Sequence, residues 1–261
     1  MISITSVQLS AWLSLFIFPF VRILALIASA PVLGNRQVPA RVKIGLAVML
    51  TIIIAPTIES QPGIEPGSAI GFLVLLQQIL AGLAIGFTMR LIFTAVEMAG
   101  DIIGMQMGLG FAVFFNPLTA SYTPVVAQFL GLIAVLAFLT MNGHLYMLAA
   151  LAESFHIFPI SSAVPSALAL HTLAAWGSSI FTHALQLSLP VIGVLLLVNL
   201  ALGILTRAAP QLNLLSVGFP ITLAIGFATL ALALPNLAPM LDSFIHAGLD
   251  TVLRVMQQMG Q

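Results

Sequence analysis

Apolar runs, each about as long as a membrane is thick, dominate this chain. A helix needs ~20 apolar residues to cross the hydrocarbon core of a bilayer. Runs of about this size cover residues 11–33, 42–58, 69–96, 124–152, 164–205 and 214–241. The fifth run has room for two segments divided near Pro190, so the sequence allows five to seven segments, with six as the central number. The runs predict an all-α integral membrane protein with about six apolar helical segments.

The composition supports this class of protein. Of the 261 residues, 61% are hydrophobic and only 5% are charged, whereas soluble domains carry about 25% charged residues. Seven basic and seven acidic residues cancel, which leaves no basic field for a nucleic-acid partner. The chain has no cysteine, so it can form neither disulfides nor thiolate metal sites.

A short basic loop follows the first apolar run. Arg36, Arg41 and Lys43 place three of the seven basic residues in this loop. By the positive-inside rule the loop is predicted to face the cytoplasm. We expect residues 11–33 to be a retained first span, because no basic residue precedes that run as it would in a signal peptide.

The third apolar run carries a stripe of polar side chains. Arg90, Thr94, Glu97 and Asp101 are spaced by four, three and four residues, which places them on one side of a helix. Charges at membrane depth usually face a bundle interior or a water-filled cavity. The stripe of Arg90, Glu97 and Asp101 is therefore predicted to be buried. An ion pair at a helix end in the interfacial zone is an equally weighted alternative.

Glycines recur at helical spacing along the predicted helix that starts in this run and continues beyond it. Such a stripe lets a neighbouring helix backbone approach closely. The predicted helix-packing glycines are Gly82, Gly86, Gly100, Gly104 and Gly108. We expect the helix to continue to about Gly108 and then to break.

Residues 105–124 form an apolar segment without any charged residue or histidine. Gly108, Gly110, Pro117 and Pro124 make one unbroken membrane helix a poor description of it. Irregular backbone at membrane depth persists only where protein covers it or where it lines a cavity. The segment is therefore interpreted as a plug or re-entrant loop inside a pore, or alternatively as an apolar loop at the membrane surface.

Methionine and phenylalanine are concentrated at the start of this segment. Flexible thioether side chains fill irregular gaps, so Met and Phe together can form a compressible seal, although such clusters are as often plain core. The predicted pore seal consists of Met105, Met107, Gly110, Phe111, Val113, Phe114, Phe115, Asn116 and Pro117.

The last part of the chain is predicted to be a helical hairpin followed by a tail. The hairpin spans residues 190–241, with a short polar turn at residues 206–213. In the tail, residues 242–261, apolar and polar side chains alternate with helical period. The tail should be a short amphipathic helix that lies on the membrane or on a partner.

Motifs of enzymes and cofactor sites are missing from the sequence. The five histidines lack the H-x-x-x-H and H-E-x-x-H spacings of metal sites, and the sequence has neither a P-loop nor a G-x-S-x-G motif. We therefore expect no catalytic activity, no cofactor and no metal. A small-solute secondary transporter that uses Arg90, Glu97 and Asp101 as an ion site is the alternative function.

Three motifs resemble those of the FliR family, the R-type subunit of the flagellar type III export gate. They are GNRQVPARVK after a first span that ends in ASAPVLG, GDIIGMQMGLGFAVFFNP, and RAAPQLNLLSVGFPI. The resemblance implies a noncatalytic subunit that assembles with FliP and FliQ, and with FlhB and FlhA nearby. Unfolded flagellar proteins would pass through the resulting pore at the flagellar basal body in the bacterial inner membrane.

The resemblance also assigns parts of the chain. It implies a P-like part at residues 1–189, which includes the plug loop 105–124, and a Q-like hairpin at residues 190–241. Members of the family are described as lying largely outside the bilayer, with kinked helices that do not all span it. Sister subunits would then cover the apolar surface instead of lipid, although membrane lipid is still an expected partner.

Overall fold

A computed structural model describes residues 6–58, 64–110, 124–162, 166–209 and 214–260. Within these ranges the regular elements are helices, and none is a strand, which confirms the predicted all-α class. The helices, numbered in chain order, are α1 (Ser6–Ser29), α2 (Ala40–Ile54), α3 (Ala69–Gln106), α4 (Val125–Thr140), α5 (Gly143–Ile157), α6 (Ala167–Trp176), α7 (Ser179–Ala208), α8 (Leu214–Ala233) and α9 (Leu237–Met259).

Helical stretches of membrane-spanning length account for most of the described chain. Five of them are long and apolar enough to cross a bilayer, and the bent pair of α4 and α5 would count as a sixth. The five are Trp12–Ser29, Ala40–Thr57, Ala69–Gln106, Ala167–Ala208 and Val217–Met259. The number of predicted apolar segments is thus confirmed.

The described residues divide into two compact units. The first consists of Met1–Leu91, Asn142–Gly177 and Ile245–Gln261, and the second of Ile92–Met141 and Ser178–Phe244. Two long helices, α3 and α9, contribute to both units, because the boundaries fall inside them.

The break between α4 and α5 has a local cause. Asn142 adopts a left-handed backbone conformation with φ 58° and ψ 24°. Asparagine tolerates this region better than most residues do, and a residue in this conformation cannot continue a right-handed helix. One apolar run of the sequence therefore becomes two helices.

The C-terminal hairpin consists of α7 and α8, which pack against each other. The long apolar run at residues 164–205, which includes most of α7, does divide into two helices, but the division lies at Gly177 and Ser178 instead of near Pro190. Pro190 lies inside α7. A proline can be accommodated within a helix when neighbouring groups satisfy the backbone carbonyl that it frees. The predicted P-like and Q-like parts therefore meet within a continuous helix.

The C-terminal tail differs from its prediction in what covers it. Helix α9 begins at Leu237 and is amphipathic, but the chain itself buries its apolar face. The hydroxyl of Ser166 donates a hydrogen bond of 2.7 Å to the backbone oxygen of Gln258. The buried side chains of this helix within the first unit include Ile245, Val252, Val255, Met256 and Met259. The expectation that this face rests on the membrane or on a partner is corrected accordingly.

Candidate functional site

Helix α3 ends in a Schellman cap that starts the predicted seal segment. Gly108 has φ 87°, and its N–H donates to the Met105 oxygen at 3.0 Å. The N–H of Leu109 donates to the Gly104 oxygen, also at 3.0 Å. These two bonds satisfy carbonyls that the helix end would otherwise leave without partners. The chain therefore leaves α3 in a fixed direction.

We expect Gly108→Ala to destabilise the chain by about 1–2 kcal/mol, because a side chain with positive φ is strained by this amount. Thermal unfolding of the full chain in detergent, followed by circular dichroism, measures the change. Gly110→Ala is the matched control, since among the described residues a Cβ at Gly110 would meet no atom within 4 Å. Equal stability of the two variants would contradict the assignment of Gly108 as the cap.

Met107 attaches this helix end to α8. Its side chain is fully buried and lies against Gly226, where a Cβ would come within 2.7 Å of the Met107 Cγ. The hydroxyl of Thr222 lies 3.4 Å from the Met107 backbone oxygen, to which it donates. Met105, by contrast, is 58% exposed. The two methionines predicted together for the seal thus have different surroundings.

The rest of the predicted seal is described only at its margin. Gly110 is partly exposed and is the last residue described before the gap. Phe111, Val113, Phe114, Phe115, Asn116 and Pro117 lie outside the described residues. The described residues continue from Pro124, which directly precedes the first turn of α4.

The predicted glycines face two different helices. A Cβ on Gly82 would meet the backbone oxygen of Arg22 in α1, and one on Gly86 would meet Ser29 in the same helix. In the second unit, a Cβ on Gly100 would meet Ala127 in α4. A Cβ on Gly104 would lie 3.6 Å from Val126 Cγ2, in ordinary contact. Glycine therefore permits the close approach of α1 and α4 to α3.

The charged stripe of α3 lies largely at the surface of the chain. Arg90 and Glu97 are exposed, and Asp101 is partly buried. The Oδ1 atom of Asp101 is buried and has no hydrogen-bond partner among the described atoms. Since a helix turns by 100° per residue, the charged positions lie next to the glycine positions around the axis of α3. The stripe is therefore at the edge of the surface where α1 and α4 pack. Arg90 and Glu97 are thus exposed in the single chain, and their burial inside an assembled complex stays a prediction.

The most buried charge lies elsewhere, at Arg22 in α1. Its side chain has no exposed surface. Nε donates to Gln78 Oε1 at 2.7 Å, and Nη1 donates to the Ser154 backbone oxygen at 2.8 Å and to its Oγ at 3.2 Å. Nη2 donates to the Phe158 oxygen at 2.8 Å. We call Arg22 and these three partners the Arg22 clamp.

The Arg22 clamp joins three helices. Gln78 belongs to α3, while Ser154 and Phe158 lie at the C-terminal end of α5. Carbonyls at a helix C-terminus carry partial negative charge and attract cations. The guanidinium carbon also lies 4.1 Å from the centroid of the Phe155 ring, within range of a cation–π interaction. A single arginine in an apolar run was the only sequence signal for this site.

Comparison with known proteins places this chain among bacterial export proteins. The sequence profile described as Bacterial export proteins, family 1, matches residues 13–248. The chain belongs to this family. Among its members, flagellar biosynthetic protein FliR of Escherichia coli (strain K12) is 45% identical over 242 residues, which cover 93% of this chain and 92% of the relative.

Two further FliR relatives show how far the similarity extends. FliR of Pectobacterium carotovorum subsp. carotovorum is 44% identical over 261 residues, which cover 99% of both chains. FliR of Bacillus subtilis (strain 168) is 31% identical over 248 residues, covering 94% of this chain and 95% of the relative. The resemblance to the FliR family is thereby confirmed. The chain is a flagellar export component with several apolar helices of membrane-spanning length.

Proposed function

We propose that this chain is a noncatalytic subunit of the flagellar export gate, and that the segment at residues 105–124 closes the pore. The observation that carries the proposal is the junction at Met107 and Gly108. There helix α3 ends in a Schellman cap. The buried Met107 side chain holds the start of a segment that has no charged residue. A segment held at its base can extend into a channel without being anchored along its length.

The exposed surface of α7 supports assembly with other subunits. Leu189, Leu197, Leu200 and Ile204 are large apolar side chains that are 58–68% exposed in the single chain. Apolar patches of this kind mark surfaces that lipid or other protein chains cover. We propose that FliP and FliQ cover much of this surface in the inner membrane, at the flagellar basal body, with FlhB and FlhA in the same apparatus.

The solute-transporter alternative receives less support. An ion site at Arg90, Glu97 and Asp101 would require these side chains to line an enclosed cavity. Arg90 and Glu97 are exposed on this chain. The polypeptide-export function is therefore the one we propose, with unfolded flagellar proteins as the cargo.

Deletion of residues 110–114 tests the seal. We expect the shortened chain to assemble with its sister subunits and to make the cell membrane leaky to ions, because the apolar obstruction would be removed from the channel. Copurification with FliP and FliQ measures assembly. A potential-sensitive dye reports the depolarisation of the membrane that an ion leak causes. A chain shortened by the same length at residues 59–63 is the control. An assembled 110–114 deletion that leaks no more than this control would contradict the proposal.

A further inference from the structure

The seal must yield to cargo and re-form afterwards, and the second unit contains a contact suited to this. We infer that Met107, Thr222 and Gly226 form a releasable joint, which holds the start of the seal segment against α8 at rest and lets go during export. We call these three residues the Met107 joint. The inference rests on the proposed sealing function and concerns its regulation.

The Met107 side chain packs against α8 at Gly226, where the helix has no side chain. A Cβ on Gly226 would lie 2.7 Å from the Met107 Cγ, 2.9 Å from its Cε and 3.1 Å from its Sδ. The whole thioether therefore runs along the glycine. An unbranched thioether changes its conformation easily. The Met107 side chain can therefore pack closely against Gly226 and still leave it.

The hydrogen bond at the joint is replaceable. Thr222 has one hydroxyl proton and two acceptors, the Met107 oxygen at 3.4 Å and the Phe219 oxygen in its own helix at 3.0 Å. If Met107 leaves, the hydroxyl keeps the shorter of these bonds. Release therefore costs the modest net value of one hydrogen bond and avoids the larger penalty of a buried donor left without a partner.

Helix α8 has a point where it can bend beside the joint. Pro220 lies inside this helix, and a proline removes one backbone hydrogen bond of the helix ladder. Sharp bends in helices occur mainly at such residues. Pro220 is two residues before Thr222, so a change of bend angle there would alter the distance between Thr222 and Met107.

A groove about one helical turn from the joint adjoins both helices that form it. It has a volume of about 280 Å³, and Ile103, Thr229 and Leu230 are among its lining residues. Ile103 is one turn before Met107 on α3, while Thr229 and Leu230 are one turn after Gly226 on α8. The space is half open and is not lined by the three joint residues, but it adjoins both helices that carry them. Because close-packed interiors resist movement, this neighbouring free space favours small shifts of the two helices.

A disulfide across the joint tests whether it must open. The chain has no cysteine, so the pair Met107→Cys and Gly226→Cys is the only possible intramolecular bridge. A disulfide requires Cβ atoms ~3.5–4.5 Å apart, and the close approach of Met107 to Gly226 suits this. We expect the oxidised complex in cells to stay sealed while secretion of flagellar proteins falls at least about tenfold. A reductant should restore secretion.

The matched control ties α3 to a neighbour that need not move. A Cβ on Gly104 would lie 3.7 Å from the Cβ of Val126 in α4, so Gly104→Cys with Val126→Cys should also form a bridge. Its oxidation should leave secretion unchanged. Each single cysteine under the same oxidant controls for damage by the reagent.

The outcomes separate this inference from the proposed function. Normal secretion by a fully cross-linked Met107–Gly226 pair would overturn the releasable joint, whereas a leak after deletion of residues 110–114 would still support the seal. Thr222→Val provides a second test that needs no disulfide. It removes one hydrogen bond at nearly constant shape, and we expect the ion leak at rest to rise about three- to tenfold. An unchanged leak in an assembled Thr222→Val complex would count against the joint.

Discussion

Arg22→Met should lower the free energy of unfolding by about 3–5 kcal/mol, because it removes the donors of a buried hydrogen-bond network and leaves buried neutral acceptors without a partner, at about 1–3 kcal/mol for each. Methionine fills much of the same volume but donates no hydrogen bond. Gln78 Oε1 and the Phe158 oxygen would lose the guanidinium. The Ser154 oxygen would keep the N–H of Phe158 at 3.0 Å. The full chain, purified in detergent, should unfold roughly 10 °C below the original chain.

A double variant shows whether the loss arises from stranded polar groups. Gln78 Nε2 is already buried without a hydrogen-bond partner among the described atoms. Changing Gln78 to leucine in the Arg22→Met background removes both polar atoms of that amide. Apolar replacement of both partners is often nearly neutral, so we expect the double variant to regain about 1–3 kcal/mol. A double variant less stable than Arg22→Met alone would contradict the Arg22 clamp.

Gly82→Ala should be the second severe change. The added Cβ would meet the backbone oxygen of Arg22 and lie 2.9 Å from the Cβ of Ala25. A backbone atom cannot rotate away as a side-chain end can, so α1 must shift from α3. Overpacking of this kind costs about 1–3 kcal/mol, and displacement of Arg22 should add to it. Thermal unfolding and resistance to protease in detergent measure the loss.

The control for this substitution is a glycine in open space. Gly193 lies inside α7, and a Cβ there would meet no atom within 4 Å in the part of the chain that the structure describes. Alanine is the better helix former by about 1 kcal/mol, so Gly193→Ala should stabilise the chain slightly. If both substitutions changed stability in the same direction and by the same amount, close approach at Gly82 would not explain the glycine pattern.

Local signals in the sequence were sufficient for the helices and for the end of α3. Apolar runs predicted the all-α class because length and hydropathy decide whether a helix can cross a membrane. The break near Gly108 was predictable because glycine readily adopts the positive φ that a Schellman cap requires. The break at Asn142 was missed, since asparagine enters the left-handed region only in some contexts.

Long-range contacts explain what the sequence did not predict. Arg22 is separated by 56 residues from Gln78 and by 136 from Phe158, so no local pattern joins them. The burial of the apolar face of α9 also depends on residues that are distant in sequence, as the hydrogen bond between Ser166 and Gln258 shows. The exposure of Arg90 and Glu97 is a third case, because helical spacing gives a shared face but not the direction in which it points.

The chemistry of the Arg22 clamp has a consequence for a protein in an energised membrane. The described groups around its guanidinium are two backbone oxygens, a hydroxyl, a carboxamide and two aromatic rings. None of these groups takes up a proton when the surrounding medium becomes acidic. The hydrogen bonds that attach α1 to α3 and α5 should therefore hold equally well in neutral and in mildly acidified cells, because proton uptake by the clamp's own groups cannot break them.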